Sequence, residues 1–247
     1  MLSNKNVINK SSAVPIYYQL KKYIIEQIEN GSWKQEEIIP SERELSEEFE
    51  ISRMTVRQAI NELVNEGILY RKRGMGTFVA KPKVDQGLSK LTNFTTDMLN
   101  RGMKPGSKVL GTTIIPASGK IAEKLNLNPD EEVVELIRLR LADDEPMALE
   151  HSFLPHKKIY PILNHSLENK SLYELLKKEC NLHLASAKQT IEISYSGPKE
   201  AKLLEIDPDT PVLLIERVTY IDTGEPVEFV KSFYRADRYK FSIEMRV

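Results

Sequence analysis

The sequence predicts an α+β protein of two domains, with a helical N-terminal third and a C-terminal part built on an antiparallel sheet. Two observations lead to this fold class. Apolar residues recur at helical spacing up to about residue 66, whereas beyond residue 130 they alternate with polar residues as in strands. The chain has 247 residues, which is enough for two ordinary domains. We expect domains at 1–80 and 91–247 and a linker at 81–90, because the polar run 81–87 contains proline and glycine.

The composition excludes several classes of protein. With 40% hydrophobic and 29% charged residues, the chain is typical of a globular protein. It contains no apolar run of the ~20 residues that a membrane span needs and no signal-peptide core, so we expect a cytoplasmic protein. The single cysteine, Cys180, cannot form an internal disulfide and is interpreted as a small apolar filler. The four histidines lack metal-ligand spacing, so we predict no metal, cofactor or catalytic residue.

Three helices are predicted in the N-terminal third. The first covers Ile16–Glu29, where apolar residues form a helical stripe. The second begins after Ser41, which forms a capping box with Glu44, and the third covers Arg53–Glu66 after the cap residue Ser52. Two short helices about three residues apart indicate a helix-turn-helix. In that motif the first turns of the second helix enter the major groove of DNA.

A basic β-hairpin is predicted next, from Leu69 to Val79. After a helix-turn-helix, such a hairpin is a wing whose arginines and lysines lie along the DNA backbone or minor groove. Arg53 and Arg57 are four residues apart and project from one face of the third helix, where arginine can read guanine. The stretch 52–83 is basic within a chain of net charge −1. Such a patch is typical of phosphate-backbone binding, although charge alone also fits a solvated surface.

Six segments carry a family resemblance: Pro15–Tyr17, Pro40–Leu45, Ser52–Ala59, Leu63, Glu66–Gly67 and Gly74–Val79. Through them, residues 13–80 resemble the GntR family of bacterial regulators. The resemblance implies a winged helix-turn-helix that binds double-stranded operator DNA. The residues that it places at the operator are Ser41, Arg43, Ser52, Arg53, Thr55, Arg57, Arg73 and Gly74. We further expect a homodimer, joined mainly through the C-terminal domains, that reads a palindrome.

The C-terminal part contains an internal repeat at a separation near 80 residues. Segment 120–130 resembles segment 199–209, and each is a predicted short helix that leads to a strand, at Val133–Leu141 and at Val212–Ile221. A Glu-Pro turn and a second strand that ends in Ser-Phe follow in both copies. Two such units predict a duplicated α+β sheet with a ligand pocket between the halves.

Strand alternation indicates which polar residues could share that pocket. Arg138 and Arg140 lie on one face of their strand, and two arginines so placed suit a phosphate or a carboxylate. Glu228, Ser232 and Tyr234 lie on one face of a later strand and suit a sugar-like molecule. Alternation alone does not distinguish this pocket from an exposed, charged sheet face.

The motifs Leu91–Thr95, Asp97–Met98, Arg101–Met103, Pro105–Ser107 and Asp237–Tyr239 resemble the branch of the HutC subfamily that represses amino-sugar utilisation. The C-terminal part as a whole is similar to the UTRA sensor domain of that subfamily, which has a chorismate-lyase-like fold. The resemblance implies an amino-sugar phosphate as effector, either glucosamine 6-phosphate or N-acetylglucosamine 6-phosphate. It assigns the phosphate to Arg138, Arg140, Ser171 and Tyr173, and the sugar end to Phe94, Thr95, Glu150, Glu228 and Tyr234.

Three alternatives remain at this stage. A HutC-type regulator could sense a different sugar phosphate or an organic acid. A GntR branch with an all-helical, metal-binding sensor is disfavoured by the alternating strands. A lyase-like enzyme could use Glu150 and Glu228 as an acid–base pair, but carboxylates in a polar sugar site more often accept hydrogen bonds. We therefore expect a regulator and not an enzyme.

Overall fold

The computed structural model describes residues 7–72 and 74–245. It divides into two compact units, Met1–Lys83 and Val84–Val247. Within the described residues, no helix is long and apolar enough to cross a membrane.

The first unit contains a helical core and a β-hairpin. Its helices are α1 (Ile16–Glu29), α2 (Glu42–Phe49) and α3 (Arg53–Asn65), and its strands are β1 (Leu69–Lys72) and β2 (Gly76–Val79). The strands pair antiparallel, with Leu69 opposite Val79. The predicted helix-turn-helix and hairpin are therefore confirmed, and the third helix is one residue shorter than expected, with Glu66 as its C-cap.

Local sequence explains the sharp turn between α2 and α3. Glu50 adopts a left-handed conformation with φ 52°, which ends α2, and Ser46 Oγ donates a hydrogen bond to the Ile51 carbonyl at 2.6 Å. Ser52 then caps α3 by accepting from the Thr55 N–H at 3.1 Å. Leu45 and Ile60 are buried on the inner faces of α2 and α3, so that their outer faces remain at the surface.

The second unit is an α+β domain. Its helices are α4 (Phe94–Asn100), α5 (Gly119–Leu125), α6 (His156–Ile159), α7 (Leu172–Cys180) and α8 (Pro198–Leu204). Its strands are β3 (Val84–Gly87), β4 (Pro105–Pro116), β5 (Glu132–Ala142), β6 (Glu145–Pro155), β7 (Leu184–Tyr195), β8 (Pro211–Ile221), β9 (Pro226–Arg235) and β10 (Tyr239–Ser242). A short 3₁₀ helix covers Tyr160–Asn164.

A six-stranded antiparallel sheet with the order β4-β5-β6-β9-β8-β7 forms the centre of this domain. The order shows two three-stranded halves joined through β6 and β9, where Glu150 lies opposite Ser232. The predicted duplication is thus confirmed. It is also larger than the sequence indicated, because each copy begins earlier and runs helix, strand, helix, strand, strand, from α4 to β6 and from α7 to β9.

The two faces of the sheet are covered by different helices. Alternate residues of β5 separate them: Val133 packs in a cluster with Leu125 of α5, whereas Leu136 packs in a cluster with Leu176 of α7. The face that carries Leu136 also carries Arg138 and Arg140, and it is covered by α4 and α7.

The segment predicted as a linker differs from the structure. Residues 81–83 belong to the first unit, whereas β3 belongs to the second. Its four residues pair in parallel with β10, and Asp85 accepts a hydrogen bond from Ser242 Oγ at 2.6 Å and forms an ion pair with Lys240 at 2.8 Å. Only Val84 and Gln86 of this strand point inward, and Gln86 is itself polar. Residues 84–87 therefore look like a polar linker in the sequence.

Candidate functional site

The residues that the GntR resemblance placed at DNA lie at the surface of the first unit. Six of them are exposed and Thr55 is half-buried; the exposed residues are Ser41, Arg43, Ser52, Arg53, Arg57 and Gly74. Arg73 lies outside the described residues, so its predicted role stays a prediction. The others occupy the starts of α2 and α3 and the turn of the hairpin.

Ser41 and Ser52 both act as helix caps. Ser41 accepts from the Glu44 N–H and Glu44 accepts from the Ser41 N–H at 2.7 Å, as the capping box predicted. The Ser52 and Thr55 hydroxyls lie 2.8 Å apart at the start of α3. Because capped helix starts carry outward N–H groups and a partial positive charge, this surface suits phosphate groups.

Sequence reasoning missed an acidic residue that joins two of these elements. Glu42, the first residue of α2, accepts from Arg57 Nε of α3 at 3.0 Å and from Arg71 Nη2 of β1 at 3.1 Å. The partners are separated from Glu42 by 15 and 29 positions, so no local pattern reveals the contact. The starts of α2 and α3 and the hairpin therefore form one surface.

The second unit contains a cavity between the sheet and the N-terminal turns of α4 and α7. All nine residues that the sequence proposed for an effector line it: Phe94, Thr95, Arg138, Arg140, Glu150, Ser171, Tyr173, Glu228 and Tyr234. They come from five elements and from the N-cap of α7, and the fold brings them together. Their roles with a ligand stay a prediction.

Two buried arginines dominate the electrostatics of this cavity. Arg138 donates from Nη2 to Glu150 Oε2 at 2.8 Å, and Arg140 lies 3.7 Å from the same oxygen. Arg140 also donates to Thr95 Oγ1 at 3.1 Å, and its guanidinium lies 4.6 Å from the centre of the Phe94 ring. Burial lowers the pKa of Arg140 from its ordinary value, but a guanidinium remains charged in proteins.

Both arginines have N–H donors that the described residues leave without a partner. Within the part of the chain that the structure describes, Arg138 Nε and Nη1 and Arg140 Nε are buried and have no hydrogen-bond partner. A buried donor without a partner costs about 1–3 kcal/mol, and more when it is charged. A bound anion with several acceptor oxygens would remove that cost.

Glu228 lies at the centre of a second polar cluster. Its carboxylate accepts from Ser152 Oγ at 3.0 Å, from Tyr173 Oη at 2.9 Å and from Thr219 Oγ1 at 3.3 Å. Burial, and then the negative charge of Glu150, raise the pKa of Glu228 above its ordinary value. Burial of the Tyr173 hydroxyl raises the pKa of that group too, so it stays a neutral donor.

The structure does not separate the two predicted ends of the ligand as the resemblance does. Tyr173, expected at the phosphate, bonds to Glu228, expected at the sugar. Glu150, also expected at the sugar, lies against Arg138 and Arg140. In this arrangement the carboxylate of Glu150 contacts both arginines, while Arg138 Nε and Nη1 and Arg140 Nε have no partner among the described residues.

Arg217 lines the cavity and was missed by sequence reasoning. It donates from Nε to Gln189 Oε1 at 2.9 Å and also lines an adjoining cleft, as Gln86 does. The internal repeat contained the signal, because Arg217 follows Arg138 by the same 79 residues that separate Lys199 from Lys120. Aligning the two copies residue by residue would have identified it.

The cavity as a whole suits a small anion. Three arginines face two glutamates, and burial favours protonation of one of these, Glu228. The N-terminal turn of α7, with Ser171 as its cap, adds a partial positive charge. Among the described residues, no three His, Cys, Asp or Glu side chains come together as a metal ion would need.

A surface suited to DNA on one unit and an anion cavity in the other are the parts of a ligand-controlled transcription regulator. Residues 16–79 match the bacterial regulatory proteins of the GntR family, and residues 100–240 match the UTRA domain. The chain belongs to the GntR family of bacterial regulators and carries a UTRA domain.

Relatives along the whole chain agree with this assignment. The chain is 45% identical over 234 residues to the HTH-type transcriptional repressor NagR of Bacillus subtilis strain 168, covering 95% of this chain and 96% of that protein. It is 30% identical over 230 residues to the probable fructoselysine utilization operon transcriptional repressor of Escherichia coli K12, covering 93% and 94%. The crystal structure of PhnF from Mycobacterium smegmatis is similar with a TM-score of 0.66, at 29% identity and covering 92% of this chain and 99% of that one.

Proposed function

We propose that the protein is a transcriptional repressor that an amino-sugar phosphate releases from its operator, either glucosamine 6-phosphate or N-acetylglucosamine 6-phosphate. The observation that carries this proposal is the pair of buried arginines that line the cavity, Arg138 and Arg140, which have N–H groups without a partner among the described residues. A phosphate monoester supplies several acceptor oxygens and up to two negative charges, which match these donors.

Similarity to known repressors supports the same proposal. The 45% identity to NagR extends over nearly the full length of both chains. The sequence motifs beyond residue 90 resemble the branch of the HutC subfamily that represses amino-sugar utilisation. Both similarities are independent of the cavity, and they support a repressor of that branch.

We assign the individual roles as the family resemblance implies them. Arg138, Arg140 and the first turn of α7, with Ser171 and Tyr173, hold the phosphate. The sugar end is held by the aromatic and polar residues around it, which are Phe94, Thr95, Glu150, Glu228 and Tyr234. Glu150 has a second task, because it fixes the orientation of both guanidinium groups.

The first unit reads DNA in this proposal. The operator is contacted by Arg43, Arg53, Arg57, Arg73 and Gly74, with Ser41, Ser52 and Thr55 on phosphates. The protein acts in the cytoplasm as a homodimer, joined through residues 91–247, on a palindrome. The effector changes operator affinity only by binding the two conformations unequally, and such coupling is typically ~1–3 kcal/mol.

The test is a titration of the full chain bound to DNA. A duplex selected by the protein from a randomised library serves as operator, and fluorescence anisotropy at fixed salt follows its release. We expect release by one of the two amino-sugar 6-phosphates, and no release by free glucosamine or inorganic phosphate. Operator binding that no amino-sugar phosphate changes would contradict the effector assignment and leave DNA binding intact.

Two other outcomes have distinct signatures. A different sugar phosphate is the second candidate, and release by fructose 6-phosphate alone would select it. An enzyme would consume its ligand. We expect phosphorus NMR to show the amino-sugar phosphate unchanged after prolonged incubation with the protein.

A further inference from the structure

Glu42 lies between an arginine of α3 and an arginine of the hairpin. Its two carboxylate oxygens are used separately, Oε2 by Arg57 and Oε1 by Arg71. The side chain of Glu42 is 26% exposed, and those of Arg57 and Arg71 are 52% and 44% exposed. The carboxylate is thus the partly covered centre of this cluster, and both guanidinium groups extend from it toward solvent.

The contact fixes which edge of Arg57 is available. Arg57 Nε and Nη2 both lie 3.0 Å from Glu42 Oε2, so this side of the planar guanidinium is occupied. A guanidinium has five N–H donors in a rigid fork. The donors that remain lie on its outer edge, which is the geometry of bidentate hydrogen bonds to guanine O6 and N7.

The negative charge of Glu42 is unusual for a residue on a surface that binds DNA. A carboxylate on a DNA-binding surface is repelled by the phosphates of every duplex, whatever its sequence. Holding two arginines also withdraws some of their donors from phosphate contacts. Both effects weaken non-specific binding, and specificity is a difference between affinities for the right and the wrong sequence.

We propose that Glu42 is a positioning residue for sequence reading. It orients Arg57 toward base edges and Arg71 toward the adjacent backbone, and it lowers affinity for unrelated DNA. This inference rests on the proposed reading of DNA by α3. It adds an acidic determinant of specificity to a surface otherwise described by its basic residues.

The test compares Glu42→Gln with Glu44→Gln in the full-length protein. Both variants lose one negative charge in the first turn of α2, but only Glu42 contacts the two arginines. Gln at position 44 can retain the capping box, so the helix start is preserved. Affinities for the selected operator and for an unrelated duplex of equal length are measured at one salt concentration. Thermal unfolding of each variant checks the fold.

We expect the ratio of operator to unrelated affinity to fall about 5- to 10-fold in Glu42→Gln, part of the value of one bidentate base contact. In Glu44→Gln the ratio should change less than about 2-fold, because added charge acts equally on both duplexes. In an Arg57→Ala background, Glu42→Gln should lose most of its effect on the ratio.

Equal ratios in the two Gln variants, with both folded, would overturn the positioning role while leaving DNA binding in place. An undiminished effect of Glu42→Gln in the Arg57→Ala background would also overturn it, because the effect would then not pass through Arg57. A wild-type protein that selects no duplex from the library would overturn the reading of DNA itself, and this inference with it.

Discussion

The two halves of the effector domain share one backbone plan and differ in the charges that they bring to the cavity. In the first half, Arg138 lies opposite Glu150 across the β5–β6 pair. In the second half, the equivalent Arg217 lies opposite Val230 across the β8–β9 pair. The first half therefore has a carboxylate that orients its arginine, and the second half has a methyl-bearing side chain at that place.

The next pair of positions reverses the pattern. Arg140 lies opposite Ala148, whereas the equivalent Thr219 lies opposite Glu228. At these positions the second half thus has a carboxylate that accepts from hydroxyl groups, and the first half has a cation whose Nε has no partner among the described residues. The duplication produced two similar halves around the cavity. Differences at a few facing positions give the cavity an anion end, around Arg138 and Arg140, and a polar end, around Glu228.

The largest expected effect comes from removing Arg138, whose equivalent in the second half is Arg217. Arg138→Ala should weaken binding of the amino-sugar phosphate about 100-fold or more, because it removes a buried charge and leaves Glu150 with Arg140 alone. Arg217→Ala should weaken it about tenfold at most. Isothermal titration with both variants measures this, and operator affinity serves as the control that the DNA-binding unit is intact. Equal losses would show that the cavity uses both halves alike.

A smaller effect is expected from copying the second half into the first. Arg140→Thr places the residue of position 219 at its equivalent and removes the contacts to Thr95 and Phe94. Effector affinity should fall about 10-fold, the value of a charged hydrogen bond. Lys188→Thr, which removes an exposed cation from β7 of the same sheet, should leave effector affinity unchanged. Equal effects of the two variants would mean that only overall charge matters.

The smallest effect concerns pH and the polar end. The pKa of Glu228 is raised in the folded protein, so its contribution to stability is present below the unfolded pKa, about 4.5, and is lost as pH rises above that value. Glu228→Gln removes this loss. Without effector, its free energy of unfolding relative to wild type should rise between pH 4.5 and 7.5, because only the wild type has a carboxylate there to ionise against burial.

Glu225→Gln provides a control of opposite sign for that experiment. Lys158 lowers the pKa of Glu225, so the ionised Glu225 contributes stability above the unfolded pKa and loses it as pH falls. Relative to wild type, Glu225→Gln should therefore lose stability as pH rises. Denaturant unfolding at several pH values measures both variants. Parallel curves for Glu228→Gln and wild type would show that Glu228 is ionised without a penalty.

Local patterns explain how much of the fold could be predicted. Caps at Ser41 and Ser52, helical periodicity and the glycine-containing turn act over a few residues, and they located the winged unit almost to the residue. The repeat located both hairpins of the sheet. Strands β4 and β7 were not predicted, because they are edge strands with many exposed residues and only weak alternation.

The residues that line the cavity could be predicted from the sequence, but the contacts between them could not. Alternation and family resemblance identified nine lining residues, but neither shows that Glu150 holds two arginines or that Tyr173 bonds to Glu228. Such contacts join distant parts of the chain, and the same is true of Glu42 with its two arginines. The linker prediction failed for the same reason, because β3 is a strand only by virtue of a partner some 150 residues later.

The pairing of β3 with β10 has a practical consequence for engineering. The first and last strands of the second unit form one short parallel ribbon, so that Val84 and Ser242 are separated by roughly 10–13 Å at four residues of extended chain. Termini this near to each other favour domain insertion. Residues 84–242 could therefore be spliced as a cassette into a surface loop of a fluorescent or enzymatic host, which would then report on its ligand.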